Sequence, residues 1–124
     1  MTIPTQGFRG IASGLAALAV LLAASASHAA DETRMVAIDD QTWRHTCPST
    51  DCGIVGRFYR GESVVVYERA NGWARVSLSY TAGCSDGLSA FVEEGNAACE
   101  SSNGIEDGEF FEWVSLDDLT EPAG

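Results

Sequence analysis

The residues that could do chemistry in this 124-residue chain are four cysteines, two histidines, eighteen acids and a set of aromatics. Catalysis needs a nucleophile or a base held by a partner. His28 lies beside an apolar N-terminal run, so once that segment is removed His45 is the sole histidine. A triad would have to join His45 to a serine, and no G-x-S-x-G turn supports one. Cys47, Cys52, Cys84 and Cys99 are an even set in a short chain, the pattern of two disulfides. Their C-x4-C and C-x14-C spacing departs from the close pairs of a zinc knuckle. A bridged sulfur is no thiolate nucleophile. Glu106-Asp107-Gly108-Glu109 offers oxygen ligands but lacks the alternating acidic loop and closing glutamate of a calcium site. A glycosidase pair of carboxylates cannot be singled out among so many acids. These residues point away from an enzyme, a metal site and a cofactor.

Four cysteines allow three pairings. The local one, Cys47–Cys52 with Cys84–Cys99, is expected, because the others would draw a loop before the central strands onto a segment after them. The aromatics Trp43, Tyr59, Tyr67, Trp73, Tyr80, Phe110 and Trp113 are many for so small a domain. Phe58, Val66 and Trp113 are assigned to the core. Trp73, at the end of a turn, is placed in a ligand groove with Tyr59 and the loop that carries Trp43 and His45. Such anchors dominate binding hot spots elsewhere.

The N-terminal segment sets the compartment. Arg9 precedes an apolar run from Ile11 to Ala24, and small residues lead to Ala29-Ala30 before the acidic Asp31-Glu32. That is the layout of a cleaved secretory signal over residues 1–30. The run is shorter than the roughly 20 apolar residues of a membrane span, so no stable membrane insertion is expected after cleavage. Removing 30 of 124 residues leaves 94, enough for one domain over 31–124. A periplasmic or secreted monomer is the expectation. With Arg9 gone, six arginines face eighteen acids, a net charge of −12. No base follows Arg75. Such a field repels nucleic acid and anionic lipid.

Alternation rather than helical periodicity runs through the remainder. Met35–Ile38 predicts a first strand, Thr46–Gly53 a loop, and Gly53–Gly61 a second strand. Ser63–Glu68 and Trp73–Leu78 flank Asn71-Gly72, which predicts a β-hairpin. Ala74, Val76 and Leu78 are expected to face the core, and Arg75 and Ser77 to face water. Phe110–Ser115 predicts a closing strand and Leu116–Leu119 a helical turn. Between the hairpin and that closing strand lies a Gly-, Ser- and acid-rich stretch, about residues 80–109. It is long for a structureless connection, and reads as an insertion closed by Cys84 and Cys99.

Pro48-Ser49-Thr50-Asp51, Gly53-Ile54-Val55-Gly56, Arg60-Gly61-Glu62, Val64 and Val66, and Asn71-Gly72-Trp73-Ala74-Arg75-Val76 occur in an order that resembles the bacterial SH3-type (SH3b) domain. Trp113-Val114 and Leu119 are similar to that family's closure. His45 stands where the family has Arg, Glu112 where it has Gly, and Asp118 where it has Tyr. The resemblance covers Met35–Leu78 and Phe111–Leu119. It implies an all-β fold, a small five-stranded SH3-like barrel with a disulfide-closed insertion before the last strand. It also implies a non-enzymatic module that binds a peptide, a protein or a peptidoglycan polymer. The alternative is a secreted acidic inhibitor or partner protein acting on a basic protein surface.

Overall fold

The computed structural model describes residues 32–123. The segment read as a signal, residues 1–30, lies outside the described residues. The chain runs through β1 (Thr33–Ala37), β2 (Thr42–His45), β3 (Ile54–Phe58), β4 (Ser63–Val66), β5 (Glu68–Ala70) and β6 (Trp73–Arg75). The insertion carries β7 (Tyr80–Thr81), β8 (Cys84–Ser85), β9 (Leu88–Ser89) and β10 (Glu109–Phe110), and the chain closes with β11 (Trp113–Ser115) and β12 (Leu119–Thr120). Two antiparallel sheets form the barrel, in the orders β12-β1-β4 and β3-β2-β11-β6-β5. The fold is all-β and SH3-like.

The hairpin at Asn71-Gly72 follows from local chemistry. Both residues take positive φ, 52° and 86°, the pair of values a two-residue turn needs to match strand twist. Asparagine and glycine tolerate it at little cost. The apolar run before the turn is divided between the two sheets. β4 pairs with β1, whereas β5 pairs with β6. Tyr67 joins them and donates its N–H to the Arg75 carbonyl at 2.9 Å, so the chain turns a barrel corner without losing a ladder bond.

Alternation along these strands fills the interior. Met35, Ala37, Val64, Val66, Ala74, Val76, Val114 and Leu119 form one buried cluster, with Phe58 and Leu116 packed against it. Burying each valine stabilises the fold by about 1.5–3 kcal/mol. The expected alternation fails after Val76. Leu78 is 65% exposed and Ser77 is buried. The cause is that β6 ends at Arg75 and the Ser77 hydroxyl takes over. It accepts from the Glu112 N–H at 2.8 Å and donates to the Leu78 carbonyl at 2.7 Å. Trp43 and His45 also depart from expectation, since Thr42–His45 is a strand rather than a loop. Leu116–Asp118 is a 3-10 turn capped by the Ser115 hydroxyl, which accepts from the Asp117 N–H.

The β2–β3 ladder holds a bulge. Arg44 faces Gly56 and His45 faces Ile54, which leaves Val55 with no opposite residue. Val55 turns instead to a second cluster with Ala82, Ile105 and Phe110, and Val92 and Cys99 pack on it. The insertion is thus ordered and has an interior. Its two ends meet where Tyr80 pairs with Phe110 and Thr81 with Glu109. The disulfides are Cys47–Cys52 and Cys84–Cys99, the local pairing. At the centre lies Asn103, fully buried. Its side-chain oxygen accepts from the Gly53 N–H at 2.9 Å, and its amide nitrogen donates to the carbonyls of Asn96 and Ala98 at 2.8 and 3.0 Å. The Thr46 hydroxyl donates to the Asn103 backbone carbonyl at 2.6 Å. Excising the insertion would uncover Val55 and strip the Gly53 N–H of its acceptor.

Candidate functional site

The β2–β3 ladder sets Trp43 opposite Arg57, and Tyr59 follows two residues further on. Directly paired positions share a face of a sheet, and period-two spacing keeps Tyr59 beside them. The Arg57 guanidinium lies 5.6 Å from the Trp43 ring centroid and 4.6 Å from that of Tyr59. Its Nη2 donates to the Tyr59 hydroxyl at 3.2 Å. One cation therefore spans two rings, and each such contact contributes about 0.5–1 kcal/mol when exposed. Tyr59 stays 51% exposed. Its backbone is fixed from behind, because its N–H donates to the Glu62 carboxylate at 2.7 Å.

These side chains wall a cleft of about 640 Å³, closed on the other side by Glu93 and Glu94. The acids reach it because the insertion adds itself to the edge of β3. The Ile54 N–H donates to the Glu94 carbonyl at 2.9 Å, and the Glu93 N–H donates to the Ile54 carbonyl at 2.8 Å. The cleft offers flat aromatic faces for stacking, guanidinium donors on one wall and carboxylate acceptors on the other. It can hold an extended polar ligand by its faces and edges.

The four residues expected in one groove fall into two pairs. Trp43 and Tyr59 share this cleft through Arg57, and Trp73 and His45 do not line it. Instead, the His45 ring meets Trp73 edge-on at 5.4 Å. His45 is only 6% exposed and its Nδ1 donates to the Cys52 carbonyl at 2.9 Å. Since a carbonyl can only accept, that bond places the proton on Nδ1. His45 thus braces the small disulfide loop, and half-buried Trp73 packs on it.

Arg57 is the residue that sequence reasoning missed, since only the strand register shows that it joins the two rings. Arg44 was missed as well. Its guanidinium carbon lies 5.2 Å from the Phe58 ring centroid, and Nη1 lies 3.6 Å from the Glu112 carboxylate. Burial pushes the Glu112 carboxyl above its ordinary pKa, and Arg44 pulls it part of the way back. Asp118 is also raised, by burial first and then by Asp39 and Asp117.

Among the described residues no group of three or more His, Cys, Asp or Glu side chains could hold a metal ion. No helix of the described residues is long and apolar enough to cross a membrane.

No curated protein and no solved structure matches the chain significantly. A family profile does. It is that of the bacterial SH3 domain, it matches residues 44–119, and with more than half its length so covered the chain belongs to the bacterial SH3 domain family.

Proposed function

We propose that the protein is an exported, non-enzymatic binding module that holds a peptide or a cell-wall polymer in the cleft between Trp43, Tyr59 and the Glu93-Glu94 edge. The observation that carries this reading is the exposed pair of rings held by one guanidinium. A pre-set aromatic wall loses little entropy when a ligand stacks on it. Family membership supports a binding role. The signal-like N-terminus and two disulfides support action in the periplasm or outside the cell.

Sedimentation with purified cell wall, run beside capture on immobilised periplasmic proteins, tests the reading. Tyr59→Ala removes an exposed ring without opening the core. It should weaken retention by about thirtyfold, the scale of a 2 kcal/mol hot spot. Trp43→Ala should do the same, while Trp73→Phe should leave retention unchanged. Retention that ignores Trp43 and Tyr59 and collapses with salt would instead favour an acidic protein acting on a basic surface.

A further inference from the structure

We propose that the seam between the insertion and the barrel is a second binding site, a pocket for one aromatic or branched aliphatic side chain of a peptide with a lysine or arginine next to it. The seam encloses about 170 Å³, lined by Val55, Tyr80, Thr81, Phe91, Phe110 and Glu112. An apolar cavity of about 150 Å³ admits a benzene ring, so this space fits a single such side chain. Val55 and Phe110 are buried and form its floor. Tyr80 and Phe91 form a rim, 52% and 55% exposed.

That rim is held in place. The Phe91 N–H donates to the Ser89 hydroxyl at 3.2 Å, which itself donates to the Ala82 carbonyl at 2.7 Å. A Cβ at Gly83 would lie 3.2 Å from the Phe91 ring, so glycine lets the ring lie against the hairpin. The Tyr80 ring leans on Phe110 with centroids 6.0 Å apart. A fixed, exposed aromatic rim over a buried apolar floor marks an interaction site rather than chance exposure.

Charge selects the neighbour of the inserted side chain. Glu112 lines the pocket, and Glu109 lies across the ladder from Thr81. Among the described residues the ion partner of Glu112 is Arg44, at 3.6 Å, and no base follows Arg75 in the chain. A basic residue beside the inserted side chain meets complementary charge here, and an acidic one meets repulsion. Neither Trp43 nor Tyr59 lines the seam, so the proposal is independent of the cleft described above.

Titration of the 15N-labelled full chain with N-acetyl-phenylalanyl-lysinamide, followed by NMR, tests it. Saturable shifts are expected at Val55, Tyr80, Phe91 and Phe110, with a Kd of millimolar order for so small a ligand. N-acetyl-phenylalanyl-glutamamide and N-acetyl-alanyl-lysinamide should each bind at least about fivefold more weakly. Phe91→Ala should abolish the shifts, and Tyr80→Ser serves if that variant loses its native spectrum. Tyr59→Ala should leave them unchanged. Shifts centred on Trp43 and Arg57, an absence of saturation, or equal affinity for the lysine and glutamate peptides would overturn the proposal.

Discussion

The barrel and the insertion each enclose an interior, but they enclose it by different means. Eight buried apolar side chains from strands in register hold the barrel, while four serve the insertion. Four cannot offset the ordering of a segment this long at roughly 1–2 kcal/mol per residue of backbone entropy. What makes up the difference is the Cys84–Cys99 bridge, which restricts the unfolded chain, and Asn103, which ties four partner groups from three stretches of chain to one buried side chain and its carbonyl. The lesson is that a region without hydrophobic periodicity can still be ordered, provided covalent and polar ties converge on it.

That contrast can be broken by substitution. Asn103→Ala should have the largest effect. It strands the buried Gly53 N–H, at about 1–3 kcal/mol, and takes the donor from two half-buried carbonyls, at about 0.5–1.5 kcal/mol each. Hydrogen exchange should show Ala82, Ser89 and Ile105 opening more easily by about 4 kcal/mol or more, with Val64, Val66 and Val114 keeping their protection. Equal loss in both regions would mean that barrel and insertion unfold as one unit. Replacing Cys84 and Cys99 together by serine should cost about 3 kcal/mol, the figure for a closed loop of this size, and with the same regional pattern. Val114→Ala reverses the pattern. At about 2 kcal/mol for two lost methyl groups and the cavity left behind, it should loosen both regions, because the insertion stands on the barrel.

The smallest effect expected is one of pH, at the strip between the regions. Burial raises the Glu112 carboxyl, so the folded protein holds that proton more tightly than the unfolded chain does. The resulting stabilisation is full below the ordinary glutamate range and is lost as pH rises through the raised folded value. Glu112→Gln cannot ionise, so its Tm should gain on that of the wild type from acid to neutral pH. A Tm difference that stays flat with pH would show that Arg44 fully compensates the carboxylate.

Much of the barrel was legible in the residues. Asn71-Gly72 fixed a turn, and Val64, Val66, Ala74 and Val76 fixed which face looks inward. β2 was not legible, since Thr-Trp-Arg-His is short and polar and becomes a strand only between β3 and β11. The same gap hid part of the cleft. Trp43 and Tyr59 stood out by type, but Arg57 joins them only once the β2–β3 register is known. His45 read as a residue of a groove-side loop because nothing nearby in sequence announces its bond to Cys52. Ala82 lies far along the chain from Asn103 and Ile105, with turns between, so no period could mark them as one interior.

The bulge at Val55 has a further effect. By sending one β3 side chain out of the ladder, the barrel lends the insertion part of its interior, and Phe110 at the ladder rung lends another. The segment between Thr81 and Glu109 therefore owns only Ala82 and Ile105 of the four buried apolar residues. As a separate peptide, oxidised or not, it would have no wall to close against and should show the spectrum of a random coil. It is better regarded as a tenant of the barrel than as a second small domain, and grafting it onto another scaffold would require carrying the bulge along with it.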